Sequence, residues 1–157
     1  RDHATVNAIA AENDAIAAAQ ALALPNGSRQ ALPPVAPAVA VRCSPEPEAP
    51  PPPRFEATEV CVAHVDTLTA ALALGDDTCA LSFANAETPG GRYRSGGLAQ
   101  EEDLCRLLPQ LYPSLAGSGA YPIQPGTALL SRGLLAVRRA PIPVPDRPRR
   151  PLTLAFP

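Results

Sequence analysis

The placement of proline limits this chain more than any other feature. Of its 21 prolines, ten fall between Pro25 and Pro53 and six between Pro141 and Pro157. Proline lacks a backbone N–H and fixes φ, so part of each stretch cannot be regular structure. The run Pro50–Pro53 favours polyproline II, an extended conformation without internal hydrogen bonds. Three parts follow: an accessory helix and hairpin (1–32), a proline-rich connector (33–54) and an α/β core (55–157). The connector reads as a surface strap rather than a ligand for a proline-binding module, although such segments also offer a surface to protein partners.

A chain of 157 residues can bury one modest core. Its formal charge of −2 excludes the basic field of a generic nucleic-acid binder, so no direct nucleic-acid binding is expected. No apolar run is long enough to cross a bilayer, which sets a membrane role aside. Cys43, Cys61, Cys79 and Cys105 lie far apart, with no C-x-x-C pair. They are expected to be buried free thiols in a reducing, intracellular and cytoplasmic compartment, with no metal and no cofactor. The absence of methionine leads us to expect part of a longer or processed product.

In chain order, residues 4–24 are alanine-rich, with Val6, Ile9, Asn13 and Ile16 on one helical stripe and Glu12 and Asp14 away from it. Pro25 is expected to end that helix, and Asn26-Gly27 to turn a hairpin over Leu24–Leu32. Thr58–His64 alternates as a strand should. Asp66 suits the N-cap of a helix over Thr67–Leu74, and Gly75 suits its stop. Thr78–Phe83 is nearly all apolar, as in a parallel strand covered on both faces. Together these suggest a βαβ unit. Leu98–Leu108 reads as a helix that Pro109 ends or kinks, and Tyr112–Gly126 as a loop. Ala128–Ser131 and Leu134–Arg138 read as two short strands, Pro141–Pro151 as a connector, and Leu152–Phe156 as a last strand. His3 and His64 are read as bystanders, and Arg147, Arg149 and Arg150 as a solvated basic cluster.

Chemistry gathers in one place, Ala84–Leu115. Gly90, Gly91, Gly96 and Gly97 fall within eight positions of a loop leading to Gln100-Glu101-Glu102. Glycine lets backbone N–H groups approach a ligand, and a helix start beside such a loop suits polar or anionic groups. Arg92 and Arg94 could add charge-assisted bonds. Acidic residues in a first turn also serve the helix dipole without any catalytic role.

The ordered run of Phe83, Asn85, Pro89-Gly90-Gly91, Gln100-Glu101-Glu102 and Leu111–Leu115 resembles the bacterial-type poly(ADP-ribose) glycohydrolases, a macrodomain-related family with a GGG–spacer–QEE signature. More weakly, Leu24–Gly27 (LPNG) is similar to the family's N-terminal region and Ser131–Arg139 to a later segment. The resemblance implies a partial, macrodomain-like α/β fold, a three-layer sheet carrying a helical accessory region and long proline-rich connectors. It implies hydrolysis of ribose–ribose O-glycosidic bonds, with ADP-ribose or poly(ADP-ribose) as ligand. Glu102 would be the catalytic acid and Glu101 would hold ribose hydroxyls. Asn85, Gly90, Gly91 and Gln100 would bind substrate. The chain departs from the pattern at Arg92 (third signature glycine), at Ser82 (a strand asparagine) and in showing no second glycine-rich loop after Leu115. Those departures support the alternative, a catalytically degenerate ADP-ribose binder or a structural subunit of a larger assembly.

Overall fold

The computed structural model describes residues 3–43, 52, 57, 60–75, 78–138 and 152–156. Helix α1 (His3–Ala19) buries Val6, Ala10, Asn13 and Ile16, one helical stripe that includes a polar residue. It stops sooner than Pro25 would require. Gln20 turns left-handed at φ 47°, and the residues that follow form β1 (Ala21–Ala23). Strand β1 pairs antiparallel with β2 (Arg29–Ala31). The intervening turn is held by Asn26, whose Oδ1 accepts from the Ser28 N–H at 3.0 Å and from its hydroxyl at 2.7 Å.

Part of the proline-rich stretch does join the sheet. Strand β3 (Val39–Arg42) follows Pro33, Pro34 and Pro37 and lies at the sheet edge, where few backbone partners are needed. Helix α2 (Thr67–Leu74) is capped as expected: Asp66 Oδ1 accepts from the Thr69 N–H at 3.0 Å, and Gly75 closes the helix. The strand expected over Thr58–His64 is not formed in its described part. Val60 and Val62, on one face of the expected strand, are 83% and 98% exposed. Among the described residues the βαβ unit therefore lacks its first strand.

Strand β4 (Cys79–Leu81) is shorter than Thr78–Phe83 and buries one face only: Ala80 is buried, while Leu81 and Phe83 are exposed. This corrects the reading of a strand covered on both sides. Helix α3 (Gln100–Leu107) precedes α4 (Leu111–Gly117), which replaces the loop expected from Tyr112. Pro113 is tolerated there because the first turn of a helix leaves its N–H groups unpaired in any case. The two strands expected after Gly126 are one strand, β5 (Thr127–Leu134), with a bulge between Ser131 and Leu134. Strand β6 (Leu152–Phe156) falls where expected, and Pro141–Pro151 lies outside the described residues.

The sheet runs β3-β5-β6-β4, antiparallel except for the parallel β6–β4 pair. Its main core joins Leu104, Leu108, Leu111 and Leu115 to Leu129 and Leu134. A second cluster joins Ile16 and Leu32 to Leu135 and Val137. The architecture is mixed α/β. Cys105 is buried, but Cys43, Cys61 and Cys79 are exposed, against the expectation of four buried thiols. No helix among the described residues is long and apolar enough to cross a membrane.

Candidate active site

The loop between β4 and α3 is tied by its own backbone to the first turn of α3. Gln100 Oε1 accepts from the Phe83 N–H at 2.7 Å. Its Nε2 donates to the Thr67 hydroxyl at 2.7 Å and to the Leu81 carbonyl at 3.2 Å. Glu101 Oε2 accepts from the Asn85 N–H at 2.7 Å, and its Oε1 from the Gly90 N–H at 3.0 Å. Glu102 Oε1 accepts from the Arg92 N–H at 2.9 Å. The other oxygen of Glu102 is buried and has no hydrogen-bond partner.

Two glycines make room for this arrangement. Gly91 sits at φ +54°, and a Cβ there would stand 2.7 Å from Glu102 Oε1 and 3.2 Å from Glu101 Oε2. A Cβ at Gly97 would stand 2.7 Å from Glu102 Oε1 and equally close to Arg92 Cβ. Arg92 itself has φ −97°, so its backbone accepts a side chain where the family carries glycine. Asn85 is exposed, and its Oδ1 accepts from the N–H groups of Glu87 at 2.8 Å and Thr88 at 2.9 Å, shaping the turn before Gly90.

Burial pushes the Glu101 carboxyl above its usual range. The N–H groups of Asn85 and Gly90 oppose that shift, and the neighbouring Glu102 charge adds to it. Cys105 lies under Gly90, its Sγ 3.4 Å from where a Cβ would be. Burial, followed by the charges of Glu101 and Glu102, holds that thiol protonated. Ser82 Oγ and the Tyr121 hydroxyl are also buried without a partner. Burial first, then the Glu101 charge, pushes the Tyr121 phenol well above its ordinary value. Among the described residues no three of His, Cys, Asp and Glu gather as a metal ion would need.

Hydrogen bonds thus bring Asn85, Gly90, Gln100 and Glu101 together, with Gly91 in contact range of both glutamates and Arg92 holding Glu102. His64 is exposed and has no place in the site. Three residues escaped the sequence reading as parts of this structure, Asn13, Asp14 and Tyr112, and Arg94, read there as a possible ligand contact, pairs with Asp14 instead. Asn13 left a signal, a polar residue on the apolar stripe of α1. The Asp14–Arg94 pairing left none, because 80 positions separate two residues that meet.

The sequence profile of the family "microbial-type PARG, catalytic domain" matches residues 6–125. The fold is similar to the crystal structure of poly(ADP-ribose) glycohydrolase (PARG) from Thermomonospora curvata, with TM-score 0.73 and 25% identity over 97% of this chain and 63% of that one. The same enzyme bound to the inhibitor ADP-HPD gives TM-score 0.72 and 26% identity, over 97% of this chain and 62% of that one. A mutant of it gives TM-score 0.75 at 25% identity, over the same 97% and 62%. The chain therefore spans less than two thirds of the length of these structures. A comparison with curated proteins finds no significant match. On the match over residues 6–125, in which the glycine loop meets the Gln100-Glu101-Glu102 turn, the chain belongs to the microbial-type PARG catalytic-domain family.

Proposed function

We propose that this chain carries the catalytic loop and helix of a poly(ADP-ribose) glycohydrolase that cleaves ribose–ribose O-glycosidic bonds. One observation carries the reading: Glu102, only 7% exposed, keeps one carboxyl oxygen unpartnered while Arg92 fixes the other. The unpartnered oxygen is the one from which a proton would pass to a leaving group. In the reaction the bond between the anomeric carbon and the leaving oxygen breaks. Glu102 protonates that oxygen, and the oxocarbenium-like centre is captured by water, whose proton returns to the Glu102 carboxylate.

Glu101 takes a different part. Both of its oxygens are pinned by backbone N–H groups, so it offers remaining lone pairs to ribose hydroxyls from a fixed position. Asn85 commits its Oδ1 to the turn and presents its amide nitrogen to the substrate. Gly90 and Gly91 bring the loop backbone up against Tyr112 and the two glutamates, and so would hold the substrate-binding loop in place. The Gln100 side chain is engaged with Thr67, Leu81 and Phe83, so it acts by holding the two glutamates at the strand end. The four-stranded sheet is read as part of a macrodomain-like sheet, supported by the TM-score of 0.73.

The reading as a non-hydrolysing ADP-ribose binder rests on the missing second glycine-rich loop after Leu115, on Ser82 and on Arg92. The backbone there keeps a negative φ and its N–H still holds Glu102, which favours the enzyme. The test is release of ADP-ribose from poly(ADP-ribose) by the chain and by Glu102→Gln. Loss of a general acid lowers turnover by roughly 10²- to 10⁴-fold, and the melting temperature should stay close to that of the parent. Equal turnover by the variant would overturn the proposal. Calorimetric binding of ADP-ribose without any turnover would favour the binder.

A further inference from the structure

We infer that Asp14, on helix α1 and outside the site, is a positioning residue that acts through Arg94 to hold the glycine turn whose N–H groups fix Glu101 and Glu102. Arg94 lies in the 3-10 turn Tyr93–Ser95, directly after the Gly90–Arg92 backbone. Its Nη2 donates to both Asp14 carboxylate oxygens, at 2.8 Å each. The guanidinium carbon of Arg94 stands 4.4 Å from the centroid of the Tyr112 ring, on the first turn of α4. That ring is 5.5 Å from the Tyr93 ring, which is itself buried. It also packs on Gly90, where a Cβ would meet Tyr112 Cδ2 at 2.8 Å.

The turn transmits this hold over very few bonds. Tyr93 donates its N–H to the Gly90 carbonyl at 3.0 Å. The N–H groups of Ser95 and Gly97 both donate to the Arg92 carbonyl, at 3.0 and 2.8 Å. Gly90 and Arg92 are the residues whose own N–H groups hold the two glutamates. An exposed ion pair alone contributes little to stability, and these side chains are 53% and 46% exposed. Here the pair orients a cation over a ring that buttresses the loop, so its effect falls on geometry more than on folding.

The catalytic consequence rests on the glycohydrolase reading; the structural one does not. The experiment uses the full chain and Asp14→Ala, Arg94→Ala, the double variant and Asp14→Glu. Backbone hydrogen exchange at Gly90 and Arg92 is expected to quicken roughly tenfold in each single variant. Exchange in α4 should change by less than about twofold. The double variant should show no more than either single one, because both remove the same link. On poly(ADP-ribose), kcat should fall roughly tenfold with KM within about twofold, and Asp14→Glu should recover at least half the rate. Unchanged exchange at Gly90 and Arg92, a uniform rise across α1 and α3, or additive single effects would overturn the inference. So would loosened amides with an unaltered kcat. If no chain, parent included, hydrolyses the polymer, the glycohydrolase reading fails and the exchange result still decides the clamp.

Discussion

Glu101 and Glu102 are adjacent in the chain, yet the backbone treats them differently: two N–H groups hold the first and one holds the second. For Glu101 this has a measurable pH consequence. Its folded pKa lies above the ordinary 4.5, chiefly through burial, so within that window the folded chain binds more protons than the unfolded one. Its contribution to stability therefore falls as pH rises from the ordinary value through the raised one, and levels off above it. Urea midpoints measured from pH 4 to neutrality should show this decline, and Glu101→Gln should flatten it relative to the parent. Gly91→Ala tests the space around the carboxylates. The left-handed backbone disfavours alanine by about 1 kcal/mol, and the new methyl displaces Glu102 Oε1. Turnover should drop by more than the shift in melting temperature accounts for, as read by comparing kcat with calorimetry. The Gln100-Glu101-Glu102 cluster was legible in the sequence because its chemistry is contiguous. The partners of the two glutamates were not, because they are backbone N–H groups, which every sequence carries alike.

At the scale of elements, α3 shows how a short helix is finished from outside. Pro109 follows four residues after Cys105 and has no N–H to give its carbonyl. Asn13 of α1 supplies it instead: its Nδ2 donates to Cys105 O at 2.9 Å and to Arg106 O at 3.1 Å. Arg138 donates to Arg106 O at 3.1 Å and also to Asn13 Oδ1, and the Val137 N–H donates to Leu107 O at 3.1 Å. Asn13→Ala removes the shared partner of two buried carbonyls and a guanidinium. It should cost about 2 kcal/mol, and the melting temperature should fall by roughly 5 °C in calorimetry. Asp66→Ala should cost about 1 kcal/mol, typical of a lost N-cap, read as a lower urea midpoint at unchanged slope. Helix α2 was legible because both of its ends carry local signals, Asp66 and Gly75. Helix α4 was not, since Pro113 and the glycines beyond it look like loop until the first-turn position of that proline is known. The polar Asn13 stood out on its stripe, but the sequence could not say which carbonyls it would meet.

For the whole molecule, the sheet is assembled from distant segments. Strand β6 comes last in the chain and lies between β5 and β4, pairing Leu129 with Phe156 and Ala80 with Leu154. Among the described strands β4 has no other partner. Removing residues 152–157 should therefore detach β4 and the loop that follows it. Circular dichroism and heating should then show a lower and broader transition, whereas an unchanged melting curve would contradict this topology. The final strand was visible in the sequence as a short apolar run after the prolines; its central place was not, because one of its two neighbours, β4, lies more than 70 positions away. The same topology bears on biosynthesis. On the ribosome, the glycine loop and both glutamates emerge well before residues 152–156, so the strand that anchors them waits for synthesis to pass that point. A nascent chain halted earlier would display the glutamates without the sheet beneath them.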